Sequence, residues 1–286
     1  MPIDYEKLRN WPFEPVEQTY TTRDTILYAL GLGLGASPLD AGHLRFTFEE
    51  QPGFAALPFM AAVLGTPGFW LRDPTSGVDW TRVLHGEQCI ELHAPIPTEG
   101  TVIARNRVAE IIDKGADKGA LLYIEREITD KATGQRIATT TSTTFARGDG
   151  GFGGPTGPLK PVHQVPDRAP DHSIDTPVLP QAALIYRLSG DPNPLHASPE
   201  VAAKAGFKAP ILHGLCTFGI AGCAVLATCC DNDPARLKSF DLRFSSPVYP
   251  GETVRTDIWQ DEDVVSFRAR VDDRIVLNNG IARLHP

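Results

Sequence analysis

No run of the 286 residues reaches the ~18 consecutive apolar positions that a membrane-spanning helix needs, so no membrane partner is expected. Positive charge is also scarce: 27 Lys and Arg stand against 35 Asp and Glu, a net charge of −8. A chain without a basic face to displace counterions from phosphates is not a general nucleic-acid binder. The five cysteines, Cys89, Cys216, Cys223, Cys229 and Cys230, are odd in number and contain no CxxC pair. They are read as reduced core thiols, with neither a disulfide frame nor a zinc-ligand spacing. The opening Met1-Pro2-Ile3-Asp4-Tyr5-Glu6 has neither the basic nor the apolar region of a secretory leader, and Leu284-His285-Pro286 is not a Ser-Lys-Leu peroxisomal address. The expected compartment is the cytoplasm.

What remains is the composition of a folded chain, with 42% hydrophobic and 22% charged residues, enough apolar surface for a sizeable core. The length suggests two domains at about 150 residues each. Between Arg147 and Pro180 the composition shifts to a glycine cluster, Gly148 to Gly154, followed by Pro155, Pro158, Pro161, Pro166 and Pro170, which reads as a crossing linker. The expected division is residues 1–150, a linker over 151–175, and residues 176–286.

The two halves look alike. Leu27-Tyr28-Ala29-Leu30-Gly31 resembles Ile185-Tyr186-Arg187-Leu188-Ser189, and Phe54-Ala55-Ala56-Leu57-Pro58 sits like Phe207-Lys208-Ala209-Pro210-Ile211. Pro95-Ile96-Pro97-Thr98-Glu99-Gly100-Thr101-Val102 matches Pro247-Val248-Tyr249-Pro250-Gly251-Glu252-Thr253-Val254, and all three offsets fall between 152 and 158 positions. Three matches in one order indicate a duplicated unit. Each half ends in β-branched runs separated by turns, such as 121–128 and 136–145 around Asp130-Lys131-Ala132-Thr133-Gly134, or 264–271 and 275–284 around Asp272-Asp273, a hairpin pattern. Residues 212–228 are apolar on nearly every face, which suits a helix buried all round. The expected class is α+β, two repeats each with a buried helix wrapped by an antiparallel sheet.

The segment richest in chemistry is Tyr186-Arg187-Leu188-Ser189-Gly190-Asp191-Pro192-Asn193-Pro194-Leu195-His196. Pro192 and Pro194 make it a stiff loop. Asp191 and His196 can hold one water between them, oriented by Asn193; an Asx-type turn with a satisfied histidine is the alternative. Ser198-Pro199-Glu200 has the form of a helix start, with Gly206 as its stop. Further on, Pro210-Ile211-Leu212-His213-Gly214 places Gly214 at the start of the apolar run. There an unpaired N–H at the positive end of a helix dipole can serve as an oxyanion donor, or the glycine can serve packing alone.

With Gly-Asp-x-Asn-Pro-Leu-His followed by Pro-Ile-Leu-His-Gly, and with Arg243-Phe244 and Pro247-Val248-Tyr249-Pro250-Gly251-Glu252-Thr253 later, residues 180–286 resemble the MaoC-like, type-2 (R-specific) enoyl-CoA hydratases of hot-dog fold. The resemblance implies a double hot-dog in which Asp191 and His196 are the catalytic pair, Asn193 supports them and the Gly214 N–H is the oxyanion donor. His213, Lys208, Arg243 and Tyr186 are then the expected substrate-binding set. The implied reaction is reversible hydration of a 2-enoyl-CoA to the (R)-3-hydroxyacyl-CoA, the CoA thioester being substrate and no cofactor being needed. No metal is expected, since Asp191, His196 and His213 lack compact ligand spacing. Cys223 departs from the family pattern, where arginine is expected.

In the first half Gly33, Pro38, Met60 and Ala61 fall near the places of Asp191, His196, His213 and Gly214, so no acid–base pair is expected there. That half is expected to be scaffold and acyl pocket, with Gly31, Gly33, Gly35 and Ala36 leaving room for a chain. His85 and His93 read as surface or packing residues. The rival readings are a hot-dog acyl-CoA thioesterase and a catalytically silent acyl-CoA-binding subunit. A monomeric pseudo-dimer and a homodimer are both compatible with the repeat.

Overall fold

The structure is a computed structural model that describes residues 3–285. Ten strands form one sheet: β1 Val16–Tyr20, β2 Val83–Leu92, β3 Gly100–Asp113, β4 Ala120–Asp130, β5 Arg136–Ala146, β6 His172–Pro177, β7 Leu237–Phe244, β8 Thr253–Asp261, β9 Val264–Val271 and β10 Arg274–Leu284. Their spatial order is β1-β3-β4-β5-β2-β7-β10-β9-β8-β6. Within each repeat the order is therefore first, third, fourth, fifth, second, and the duplication seen in the sequence is a duplication of topology. The repeats meet where β2 pairs antiparallel with β7, from Glu87 opposite Arg243 to Glu91 opposite Ser239. Two edges that would otherwise offer unpaired backbone groups are closed on each other.

Among the described residues six α-helices accompany the sheet: α1 Tyr5–Arg9, α2 Thr22–Gly31, α3 Ala41–Thr47, α4 Ala182–Tyr186, α5 Pro199–Lys204 and α6 Gly214–Cys229. Helix α6 carries no charged residue, and most of its side chains are buried. Its two interior glycines, each a cost in helix propensity of about 1 kcal/mol, are contact points with the first repeat. A Cβ at Gly219 would lie 2.7 Å from the Leu32 methyls, and one at Gly222 would overlap the Phe59 ring. Phe59 in turn lies 6.0 Å from Phe218 and 5.1 Å from Phe240, ring centroid to centroid. One continuous core thus spans both repeats.

The first repeat differs from expectation at the place of the central helix. It has only a 3-10 turn, Pro58–Ala62, fully buried. The chain cannot continue helically past it, because Gly65 takes φ +65° against Ala104 and Pro67 follows. The loose end is held by the buried Arg126, whose guanidinium donates to the carbonyls of Leu64 (2.6 Å) and Ala62 (3.3 Å). Positive charge at a helical C-terminus is favourable, and burial lowers the pKa of this guanidinium to about 10.

The Gly/Pro-rich crossing between the repeats lies against the sheet: His163 Nε2 is 2.9 Å from Ser266 Oγ, and Asn279 donates to the His163 carbonyl at 2.7 Å. Residues 172–175, assigned to the linker from composition, are the start of strand β6, paired with β8 through Ser173 opposite Asp257 and Asp175 opposite Arg255. None of the helices among the described residues is long and apolar enough to cross a membrane.

Candidate active site

Helix α4 ends in a 3-10 turn, Arg187–Ser189, and Gly190 at φ +125° turns the chain into the proline-stiffened loop. Here the Asx geometry and the closeness of Asp191 to His196 coexist. Asp191 Oδ1 accepts from the Asn193 N–H at 3.1 Å, and Asn193 Oδ1 accepts from the Leu195 N–H at 3.1 Å, capping the short turn Pro194–His196. Asn193 therefore fixes the shape of the loop, and that shape sets the spacing of Asp191 from His196.

Two backbone carbonyls fix the histidine tautomers. His196 Nδ1 donates to the Ile211 carbonyl at 2.8 Å, which leaves Nε2 as a bare acceptor on the neutral ring. His213, 22 positions along the chain, donates from Nε2 to the Asp191 carbonyl at 3.1 Å, while its buried Nδ1 has no partner. The rings stack at 3.8 Å with 28° between planes. Burial lowers the His196 pKa against the opposing pull of the Ile211 carbonyl and Asp191. Burial, and then the neighbouring His196, lower His213 well below an ordinary imidazole. Both rings are neutral at pH 7.

Asp191, His196 and His213 each bring a potential ligand atom into a cluster whose atoms lie within 4.8 Å of one another, a closeness invisible in their spacing. One nitrogen of each ring is committed to a backbone carbonyl, and the other is left without a protein partner.

Gly214 is the first residue of α6, where the N–H has no intrahelical acceptor. A Cβ there would stand 3.2 Å from the Phe244 ring, so the glycine brings Phe244 onto the helix start. The other expected substrate contacts divide. Lys208 is exposed with its Nζ 4.4 Å from the Tyr249 ring centroid. Tyr186 is fully buried behind His213, at 5.1 Å between rings, and beside Tyr28 at 5.8 Å; it supports the site from beneath and offers a substrate no surface. Arg243 is not at the site at all. Along β7 the side chains alternate, Phe240, Leu242 and Phe244 facing α6, and Arg243 projects from the opposite face into an ion pair with Glu87 at 2.6 Å.

Sequence reasoning missed His85, which the structure brings to this cluster from the first repeat, its ring 4.6 Å from that of Phe244. The one available signal was the glycine after it, a bulge former within a strand pattern. Cys223, where arginine was expected, is a half-buried residue of α6 packed against the common core, its thiol pKa raised by burial.

Two family models match the chain in tandem: an MFE-2 hydratase 2 N-terminal domain over residues 18–148, and a MaoC like domain over residues 161–278. A Dictyostelium discoideum protein named "Probable enoyl-CoA hydratase 2" is 40% identical over 297 aligned positions, spanning 100% of this chain and 98% of that one. The chain belongs to the MaoC-like hydratase 2 family. A MaoC-like dehydratase from Phytophthora capsici, known from its crystal structure, is 33% identical and superposes with a TM-score of 0.85 over 99% of this chain and 98% of its own. A Mycobacterium tuberculosis protein described as a double hotdog, 14% identical, shares the fold with a TM-score of 0.53 over 99% of each chain. Asp191, His196 and His213 all lie in the part matched by the MaoC like domain, and the part matched by the N-terminal domain model brings His85 against Phe244.

Proposed function

We propose that this protein catalyses the reversible hydration of trans-2-enoyl-CoA to (R)-3-hydroxyacyl-CoA. The observation that carries the reading is the convergence of Asp191 with a neutral His196 whose Nε2 is free, in a loop held by Asn193 and beside an unpaired helix N-terminus. Water held between the two side chains adds its oxygen to C3 as the C2=C3 π bond opens. One member of the pair takes the water's proton and a proton is delivered to C2, so that one water is added and none of the protein's atoms is consumed. The negative charge that develops on the thioester oxygen meets the Gly214 N–H, an interaction worth about 3 kcal/mol in comparable sites. Water and proton delivered from one face give syn addition. Lys208, exposed near the loop, supports binding of CoA phosphates.

The repeats satisfy each other's strand edges within one chain, which supports a monomer with a complete site, and a homodimer would be an addition to it. The five free thiols support a reducing compartment, with the cytoplasm as our proposal.

The test is incubation with crotonyl-CoA, following loss of the conjugated double bond and release of free thiol in parallel. We expect loss of the double bond without thiol release, reduced by about 10²–10⁴-fold in both Asp191→Asn and His196→Ala. Thiol release would instead make the protein a thioesterase. Silence in the wild type toward every enoyl thioester would leave a binding subunit.

A further inference from the structure

The residue pattern of β2 places Gln88 and Ile90 on the face toward α6, and Glu87 and Cys89 on the other. Simple alternation would send His85 outward with Glu87. The pairing with β5 breaks that alternation: His85 lies opposite Thr144 and Glu87 opposite Thr143, so Gly86 is an extra residue in a bulge. A bulge re-aims the side chain beside it, and His85 turns to the inner face against Phe244. Phe244 is the ring that rests on Gly214. A histidine of the first repeat therefore stands one aromatic ring away from the oxyanion donor of the second.

The state of this ring is defined by its partners. His85 Nε2 is 3.1 Å from the Glu87 carbonyl, an acceptor only, so the proton is on Nε2 and Nδ1 is an acceptor. Among the described residues no protein donor reaches Nδ1; the neighbouring Gln88 amide donates to the Cys89 carbonyl at 3.0 Å. The residue is exposed to solvent on one side and rests on Phe244 on the other. Desolvation by the surrounding protein lowers its pKa, against the Glu87 carbonyl, Asp191 and the Gln88 side chain, which favour the proton. At pH 7 the ring is uncharged and can only receive a hydrogen bond from a ligand.

That restriction selects the group it meets. Near the thioester carbonyl, an enoyl-CoA carries acceptors and hydrocarbon on the acyl side. Its first N–H is the cysteamine amide, two methylenes beyond the sulfur. We propose that His85 is a substrate-positioning residue, its Nδ1 accepting a hydrogen bond from the cysteamine amide N–H of the CoA arm. The first repeat then takes part in recognition of the thioester handle, beyond scaffolding the second. This inference rests on the hydratase reading for its substrate.

The test compares His85→Phe, which keeps a ring on Phe244, and His85→Asn, which keeps an acceptor near the Nδ1 position. With crotonyl-CoA, His85→Phe is expected to raise KM about 5- to 10-fold, the size of one neutral hydrogen bond, with kcat within about twofold, and His85→Asn to recover most of the loss. S-propyl crotonothioate has no amide, and on it all three proteins should share one kcat/KM. An equal penalty on that substrate would assign His85 to packing, and no penalty on crotonyl-CoA would remove it from binding; either overturns the proposal. The Kd of butyryl-CoA, a saturated thioester with no bond to hydrate, reads the same contact without turnover. If the wild type fails to hydrate crotonyl-CoA the hydratase reading falls, and an unchanged Kd for butyryl-CoA in His85→Phe would separately overturn the role of His85.

Discussion

Two imidazoles, His196 and His213, are held below the ordinary value of 6.5 by burial. In the unfolded chain each takes up a proton near pH 6.5, while in the folded protein each resists until lower pH. Between those values the unfolded state binds more protons, so stability falls with acidification. The contribution is fully present above about pH 6.5 and is lost as the pH falls towards about 4, where His213 takes up its proton in the fold. Each group can add at most about 1.4 kcal/mol per pH unit to the slope. Urea midpoints should be level above pH 6.5 and fall below it, and His213→Gln should flatten the fall. A slope unchanged by that substitution would show that His213 is not the strained neutral group described here. The contrast of these histidines with His85 also shows how far side-chain roles could be read from sequence. Asp191, Asn193 and His196 lie within six positions of one another on a stiff loop, and their spacing carries their geometry. Arg243 and His85 sit on strands, where the face a side chain takes depends on register. Arg243 points away from the site because β7 alternates regularly, and His85 points toward it because β2 does not.

At the scale of elements, α6 carries two glycines at contacts with the first repeat, and the two contacts differ in kind. Replacing either with alanine gains about 1 kcal/mol in helix propensity, against an overpacking cost of about 1–3 kcal/mol in a filled core. At Gly219 the obstructing atoms are the ends of the Leu32 side chain, which can rotate. At Gly222 they belong to the ring of Phe59, which is fully buried and wedged between Phe218 and Phe240. Gly222→Ala should therefore lose about 1–2 kcal/mol net, while Gly219→Ala stays close to wild type, as read from urea unfolding. Equal losses at both positions would show that helix fit is limited by backbone approach, with side-chain mobility playing no part. The helix itself was legible as an uninterrupted apolar run. Its counterpart in the first repeat was not, because Phe54 to Phe59 keeps the repeat's residue pattern while Gly65 and Pro67, a few positions later, leave space for only one 3-10 turn. The start of β6 was hidden for a related reason: His172 and Asp175 are edge-strand residues, and polar residues beside prolines read as linker.

Across the whole molecule, duplication predicts two domains, and the packing joins the two repeats through one core. Sheet order, core and site all cross between repeats: β2 pairs with β7, Phe59 of the first repeat is wedged into aromatic residues of the second, and Gly190 at the head of the loop that carries Asp191 and His196 lies 3.6 Å, by its missing Cβ, from the Val63 carbonyl. Domains that unfold independently need separate cores, and here the larger core belongs to both. The tryptophans allow a direct test, since Trp11, Trp70 and Trp80 report the first repeat and Trp259 the second. Trp259→Phe leaves fluorescence from the first repeat alone, and the triple replacement of Trp11, Trp70 and Trp80 by Phe leaves it from the second alone. If the shared core governs stability, in each variant the fluorescence midpoint in urea should coincide with the far-ultraviolet circular dichroism midpoint of the same protein. Comparing two probes within one variant removes any change in stability that the substitutions introduce. An early fluorescence transition in either variant would mean that one repeat melts while the other holds. In that case the contacts of Phe59 and Leu32 with α6 would be an interface between two domains, and the loss of the first repeat would take His85 from the site before Asp191 and His196 part.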